Sequence, residues 1–116
     1  VLPAEPDIEG TIQGQIEAFQ ADDFEGAFGF ASRNIQSYFQ TPDVFGSMVK
    51  NGYPMVWRPD ELRFLELRDI SGNLWQKVLI RDADGTVHLL DYQMIQTPEG
   101  WRINGVQLLR TPDVGV

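Results

Sequence analysis

The fold is decided by residues 86–109, which read TVHLLDYQMIQTPEGWRINGVQLL. Two runs rich in apolar residues flank the segment Thr97-Pro98-Glu99-Gly100, whose Pro and Gly are typical of a turn between strands. Because a short hairpin link joins consecutive antiparallel strands, we expect residues 86–96 and 101–109 to pair. The sequence therefore predicts a sheet at the end of the chain.

Further strand-like segments precede this hairpin, at residues 55–58, 62–68 and 74–82. Their connections, Pro59-Asp60, Ser71-Gly72-Asn73 and Ala83-Asp84-Gly85, consist of residues that favour turns. The segment around Asp84 faintly resembles a calcium loop, but it lacks the further oxygen ligands and the closing Glu, so we interpret it as a hairpin turn. Five short strands in a mainly antiparallel sheet are predicted.

The N-terminal half has helical patterns instead. Residues 7–21 carry an apolar stripe at helical spacing, which predicts an amphipathic helix. A second apolar stripe follows Asp22 and predicts a second helix. We expect Asp22 to cap this second helix together with Glu25 three residues later. Asp22 and Asp23 are therefore interpreted as capping residues rather than a catalytic acid pair. The two stripes consist of Ile8, Ile12, Ile16 and Phe19, and of Phe24, Ala27, Phe28 and Ala31.

A third helix is predicted between Thr41 and Gly52. Thr41 is a good cap, Pro42 suits the first helical position, and Gly52 is a typical stop. Residues 32–40 fit either a short helix or a vestigial strand. The predicted fold class is thus α+β, with three N-terminal helices packed on a curved, mainly antiparallel sheet.

The predicted strands are apolar on both faces, since side chains alternate along a strand. Each of three strands has apolar residues on both of its faces. In residues 86–96, one face has Val87, Leu89 and Ile95 and the other has Leu90, Tyr92 and Met94. The corresponding sets are Leu74, Val78 and Ile80 against Trp75 and Leu79 in residues 74–82, and Trp101, Ile103 and Leu109 against Val106 and Leu108 in residues 101–109. Helices on one side cover only one face, and large exposed apolar patches are unusual on monomers. We therefore expect another copy, a partner or a ligand on the second face, with a homodimer through the sheet as the first choice.

Composition limits the classes of function. The chain has 116 residues, 42% of them hydrophobic, which predicts a single domain over residues 1–116 with residues 1–6 as a loose leader. The formal net charge of −8 disfavours nucleic acid and anionic membrane surfaces. The chain has no Cys, and it has neither a zinc spacing, a phosphate loop nor a membrane-length apolar run. No metal, cofactor or membrane insertion is expected.

The first six residues, Val1-Leu2-Pro3-Ala4-Glu5-Pro6, also bear on localisation. A Pro-rich start without Met is typical of the segment that follows a removed signal peptide, which favours a periplasmic or secreted protein. An arbitrary starting point of the chain would look the same, so a cytoplasmic protein is also compatible with this start.

The segments 16–28, 91–94 and 98–105 resemble the paired opening helices and the terminal hairpin of the nuclear transport factor 2-like superfamily. Within it, the chain is similar to an uncharacterised bacterial family, domain of unknown function 4864, at Ala18-Phe19, Asp22-Asp23, Ala27-Phe28, Phe45, Met48-Val49, Gly52-Tyr53-Pro54 and Trp101-Arg102-Ile103. The resemblance implies a cone-shaped α+β fold. Enzymes of the superfamily place Asp, His or Tyr inside the cone to move protons on apolar substrates, and other members are pockets or protein-binding modules.

Three residues of one strand could carry acid–base chemistry. His88 is the only histidine, and it shares a strand face with Tyr92. Asp91 lies on the other face, where burial would raise the pKa of a general base. The alternatives are a half-exposed His88 beside the turn and an Asp91 paired with Lys77, Arg81 or Arg102 of a neighbouring strand.

Aromatic residues give the leading hypothesis. Tyr38, Tyr53, Trp57 and Tyr92 are the candidates for lining a pocket that holds a flat apolar ligand. The alternative for most of them is ordinary core packing. We expect a non-enzymatic small-molecule-binding or protein-interaction domain, with a small proton-transfer enzyme that uses Asp91, His88 and Tyr92 as the alternative.

Overall fold

The computed structural model describes residues 1–109, which form an α+β fold. Its helices are α1 (Pro6–Gln20), α2 (Phe24–Gly29), α3 (Arg33–Phe39), α4 (Pro42–Gly52) and α5 (Pro54–Trp57). Its strands are β1 (Pro59–Ile70), β2 (Asn73–Asp82), β3 (Val87–Thr97) and β4 (Gly100–Leu109). They form one antiparallel sheet in the order β1-β2-β3-β4. The predicted α+β class, with helices before an antiparallel sheet, is confirmed.

The predicted numbers of helices and strands are wrong. Residues 55–58 are not a strand: they fall largely within α5, and the described residues contain four strands and five helices. Pro54 explains the difference, because its fixed φ and missing N–H suit the first position of a helix. The ambiguous residues 32–40 contain α3, which Ser32 caps by accepting a hydrogen bond from the Ile35 N–H (3.3 Å).

The connection between α1 and α2 also differs from the prediction. Asp23, not Asp22, caps α2, and its Oδ1 accepts a hydrogen bond from the Gly26 N–H (2.9 Å). Asp22 has a φ of 57°, in the left-handed region, and this turns the chain between the two helices. The predicted cap of α4 is confirmed, since Thr41 Oγ1 accepts from the Val44 N–H (3.2 Å).

The hydrophobic core lies between the helices and one face of the sheet, the core face. Ile8, Ile12, Ile16 and Phe19 of α1 are buried, as the stripe predicted. They share a single core cluster with buried sheet residues that include Val78, Ile80, Leu90, Tyr92 and Met94. The predicted loose leader is tied to the sheet at Leu2, whose N–H donates to the Leu67 carbonyl (2.8 Å).

A β-bulge reorganises the last strand. Gln93 pairs with Gly105, but the next residue, Met94, pairs with Ile103, so Asn104 is an extra residue in β4. The extra residue shifts the alternation of side chains along β4. Ile103 and Val106 consequently lie on the same face of the sheet, where they pair with Met94 and Tyr92 of β3. The prediction that Ile103 and Val106 point to opposite faces is therefore wrong.

Candidate ligand cavity

A cavity of about 260 Å³ lies between the helices and the end of the sheet formed by β3 and β4. Its wall is almost entirely apolar, with contributions from α1, α3, α4 and α5 on one side and from β3 and β4 on the other. The lining residues include the aromatic side chains of Phe19, Phe39, Phe45, Tyr53 and Tyr92. The bulge in β4 matters here, because it lets Ile103 and Val106 line the cavity together.

Three phenylalanines give the helical side of the cavity a fixed shape. Phe45 of α4 contacts Phe19 of α1, with ring centroids 5.8 Å apart and planes tilted by 31°. It also meets Phe39 of α3 edge-on at 5.6 Å. Such aromatic pairs add about 0.5–1.5 kcal/mol beyond the area they bury. The packing therefore fixes the relative positions of α1, α3 and α4 around the cavity.

Tyr92 is one of the residues that line this apolar wall. It lies in the middle of β3 on the core face, is fully buried, and its hydroxyl has no hydrogen-bond partner among the described residues. Burial, and to a smaller extent the neighbouring Tyr53, raises the pKa of the Tyr92 phenol above its ordinary value. The hydroxyl is therefore neutral throughout the physiological range and available as a donor or an acceptor.

Two other polar residues line the cavity, but their donors are engaged with the backbone. Gln15 Nε2 donates to the Ala27 carbonyl (3.1 Å), and the Tyr53 hydroxyl donates to the Val106 carbonyl at the edge of β4 (3.3 Å). Sequence reasoning missed Gln15. The available signal was its position in α1, since residue 15 falls on the same helical face as Ile12 and Phe19.

The structure places two of the four predicted aromatic residues, Tyr53 and Tyr92, at the cavity. Tyr38 is 80% exposed and packs edge-on against Phe39, with ring centroids 4.9 Å apart. Trp57 lies outside the cavity, where its Nε1–H donates to Asp22 Oδ1 (3.0 Å). The described residues that line the cavity include neither Tyr38 nor Trp57.

Trp57 is instead the centre of a charged cluster that joins α1, α4 and α5. Lys50 Nζ lies 4.9 Å from the centre of the indole, and the Arg58 guanidinium lies 4.1 Å from it. Arg58 also donates to both carboxylate oxygens of Asp22 (3.0 and 3.2 Å). The hydrogen bonds from Trp57 and then Arg58 hold the pKa of Asp22 below its ordinary value. This arrangement is structural, because it closes the turn after α1.

Asp91 lies on the opposite face of the sheet from Tyr92. It is 5% exposed and forms an ion pair with Arg68 of β1. The predicted partners Lys77, Arg81 and Arg102 are therefore not the residues that pair with it. Arg68 comes from a strand that is two positions away in the sheet, across β2. The ion pair gives this buried carboxylate the partner that it requires.

His88 stands at the start of β3 and binds the neighbouring turn. Its Nε2 lies 2.9 Å from Asp82 Oδ2, and Asp82 Oδ1 accepts hydrogen bonds from the N–H groups of Asp84 and Thr86 (2.9 and 3.0 Å). The hydrogen bond from His88 holds the pKa of Asp82 below its ordinary value, and those backbone N–H groups lower it further. The fold thus does not bring His88, Asp91 and Tyr92 together at one site.

The fold and the cavity define a class: an α+β domain in which helices close over one face of an antiparallel sheet. A family model, described as Domain of unknown function (DUF4864), matches residues 2–116, so the chain belongs to that family. The predicted family is thereby confirmed. No curated protein and no solved structure matches the chain.

Within residues 1–109, no helix is long and apolar enough to cross a membrane. In the same range, no group of three or more His, Cys, Asp or Glu side chains is arranged to hold a metal ion.

Proposed function

We propose that this protein is a non-enzymatic domain that binds a small, neutral, mainly apolar molecule in the cavity between its helices and β3–β4. The observation that carries the proposal is the Tyr92 hydroxyl: it is buried without a partner in the described chain, on a side chain that lines an almost entirely apolar wall. A buried polar group left unpaired costs about 1–3 kcal/mol. A ligand with one polar atom near this hydroxyl would remove that cost.

The size of the cavity sets the size of the ligand. An engineered apolar cavity of roughly 150 Å³ holds benzene, so by proportion about 260 Å³ suits about ten non-hydrogen atoms. The lining residues of the described chain include no Lys, Arg or His, so a carboxylate or phosphate on the ligand would have no cation there. A compact neutral bicyclic compound with a ketone or hydroxyl group fits these constraints.

Proton transfer is less well supported. Besides the neutral Tyr92, the cavity wall of the described chain offers no carboxylate or imidazole, and a general base is what such an enzyme needs. The layout of helices over a bulged sheet supports the nuclear transport factor 2-like cone that the sequence resemblance implies. We include that cone in the proposal as the frame of the cavity.

The test is a matched panel of compounds in isothermal titration calorimetry: 1-tetralone, 2-naphthol, naphthalene and 2-naphthoate. We expect the ketone and the alcohol to bind, the hydrocarbon to bind more weakly, and the carboxylate not to bind. Tyr92→Phe should weaken the binding of the ketone by about three- to tenfold, the equivalent of one neutral hydrogen bond. Tyr38→Phe is the matched control, because that phenol is largely exposed and outside the cavity.

Val49→Phe provides the second arm of the test. Val49 is buried and lines the cavity, and a Phe side chain there would occupy the space that the ligand needs. We expect this variant to lose binding altogether. The proposal is wrong if none of the compounds binds the unmodified protein. It is also wrong if the Val49→Phe variant binds the compounds as tightly as the unmodified protein does.

A further inference from the structure

The face of the sheet that points away from the helices, the outer face, differs in charge from the rest of the molecule. Strand register places on it five cationic side chains, Arg63, Arg68, Lys77, Arg81 and Arg102, and two acidic ones, Glu61 and Asp91. A third acid, the bulged Asp60 of β1, reaches Arg81 Nε at 3.8 Å. Those eight residues carry a net charge of +2 on a chain whose formal net charge is −8. Residues 1–58, which include all the helices of the described chain, contain eight acidic and three basic residues.

The three acidic residues are already neutralised, Asp60 by Arg81. Asp91 is paired with Arg68, and Glu61 accepts a hydrogen bond from Arg81 Nη2 (3.1 Å) and pairs with Arg63 (3.2 Å). In contrast, Lys77 and Arg102 have no carboxylate within ion-pair distance among residues 1–109. The outer face therefore presents two cations that no described acid neutralises.

Apolar side chains separate these cations. Trp75 and Leu79 of β2 and Leu89 and Ile95 of β3 point to the outer face and are half-buried. Ile95 pairs directly with Arg102, and Trp75 is two residues from Lys77 on the same face. Large apolar side chains that alternate with free cations suit a partner that has apolar side chains and carboxylates at matching spacing.

We propose that the outer face is a docking surface for an acidic, amphipathic segment of another protein. The face is cationic and partly apolar on a molecule that is otherwise strongly acidic, so it is complementary in charge to an acidic segment. A face-to-face homodimer through the sheet, which the sequence favoured, is the competing occupant. A two-fold axis would bring the same patch of each copy together, and the cations of one copy would meet those of the other without free carboxylates between them.

The test uses a synthetic peptide that alternates Glu with Leu and Phe, together with the same peptide carrying Lys in place of Glu. Binding to the full chain is followed by amide chemical shifts and by tryptophan fluorescence at two salt concentrations. We expect the acidic peptide to bind, with shifts concentrated on β2 and β3, and to bind more weakly at high salt. The basic peptide should not bind.

Matched variants separate the proposed site from general electrostatics. A double variant with Lys77→Gln and Arg102→Gln removes both free cations. It should bind the acidic peptide about tenfold more weakly than the unmodified protein does. Lys50→Gln is the control, because Lys50 is an exposed cation on α4, in the helical layer. The cavity variant Val49→Phe should also leave peptide binding unchanged, which keeps this test independent of the proposed function.

Several outcomes would overturn the docking proposal. The first is that the acidic peptide does not bind, and the second is that the basic peptide binds as tightly as the acidic one. The third is that the chemical shift changes lie on the helices, and the fourth is that the control variant loses as much acidic-peptide binding as the variant of Lys77 and Arg102. Sedimentation of the unmodified chain as a dimer, together with a monomer for Leu89→Arg, would assign the outer face to a second copy instead.

Discussion

At the scale of single residues, Tyr92 and Tyr53 are two phenols at one cavity with opposite energetic roles. The Tyr53 hydroxyl satisfies the Val106 carbonyl, whereas the Tyr92 hydroxyl is buried without a partner in the described chain. A buried donor that finds no acceptor lowers the stability of the fold. The contrast between the two residues is therefore measurable without any ligand.

We expect Tyr92→Phe to raise the free energy of unfolding of the ligand-free protein by about 1 kcal/mol, because it removes an unpaired polar group from the interior. Tyr53→Phe should lower it by about the same amount, because the Val106 carbonyl loses its donor. Urea denaturation followed by circular dichroism measures both. Equal destabilisation by the two variants would mean that the Tyr92 hydroxyl is satisfied, and the ligand proposal would lose its main support.

The lowered pKa of Asp22 predicts how the stability of the fold depends on pH. The pKa of Asp22 is lowered in the folded protein, chiefly by the hydrogen bond from Trp57 and then by Arg58, from an ordinary value of 3.8. The folded state therefore binds this proton less readily than the unfolded state does, so stability rises with pH across the interval between the two values. The contribution of Asp22 is complete above about pH 5 and is lost as pH falls through the lowered pKa.

Comparison with Asp22→Asn isolates this contribution. The variant should be less stable than the unmodified protein at neutral pH, and the difference should shrink on acidification and vanish once Asp22 itself is protonated. Denaturation midpoints at intervals of half a pH unit from pH 7 to 2.5 provide the measurement. Asp43→Asn is a suitable control, because Asp43 is exposed and has no salt bridge among the described residues. A difference that is constant with pH would contradict the assignment.

At the scale of elements, the packing of α2 against α4 depends on a glycine. A Cβ built at Gly46 would lie 2.7 Å from Phe24 Cδ1, so the ring of Phe24 occupies the space that any other residue would fill. Gly10, in the interior of α1, has no atom within 4 Å of the same position. The two glycines therefore separate close packing from helix propensity.

We expect Gly46→Ala to destabilise the protein by about 1–3 kcal/mol, the usual cost of overpacking. Gly10→Ala should stabilise it by roughly 0.5–1 kcal/mol, because alanine favours the helix and restricts the unfolded chain. Thermal unfolding of the two variants in parallel would show midpoints that move in opposite directions. A stabilised Gly46→Ala variant would mean that α4 can move away from Phe24 at little cost.

The elements that local chemistry specifies were predictable, and those that tertiary pairing specifies were not. The stripe of α1, the cap at Thr41 and the hairpin turns after β1, β2 and β3 are signals within a few residues of one another, and the structure contains these features. The pattern predicts a strand at residues 55–58 because four residues, three of them apolar, are too few to distinguish the period of a helix from that of a strand. The bulge at Asn104 has no local signal, since it exists only in the pairing of β4 with β3.

The cavity was only partly predictable for the same reason. Tyr53 and Tyr92 were identified as aromatic residues of the predicted helices and strands, and they line the cavity. The sequence predicts the same position for Tyr38, but the exposure of Tyr38 depends on the rotation of α3, which residues 32–40 alone do not specify. The pairing of Asp91 with Arg68 joins strands that are not neighbours, so the usual search of adjacent strands could not find it.

At the scale of the whole molecule, the cavity and the densely packed part of the core predict different responses to the same substitution. Val49 lines the cavity, whereas Val78 is fully buried in the core and outside the cavity wall. Replacing each by Phe adds the same volume. The available space, rather than the chemistry, should decide the sign of the effect.

We expect Val49→Phe to leave the free energy of unfolding unchanged or to raise it by about 1 kcal/mol, since the added ring fills a void and buries apolar surface. Val78→Phe should lower it by about 1–3 kcal/mol through overpacking. Chemical denaturation of both variants decides between these expectations. Equal losses in both would indicate that the cavity closes around Val49 and has no room for a ligand.

The contact between the first and the last described elements has a consequence for biosynthesis. Strands that are neighbours in the sheet are also consecutive in the chain, so each hairpin can form soon after it leaves the ribosome. The apolar stripe of α1, however, shares its core with Ile103 of β4, which is synthesised almost a full chain length later. During translation part of that stripe thus stays exposed until the final strand emerges, and nascent chains that stall before β4 should be the species that chaperones capture.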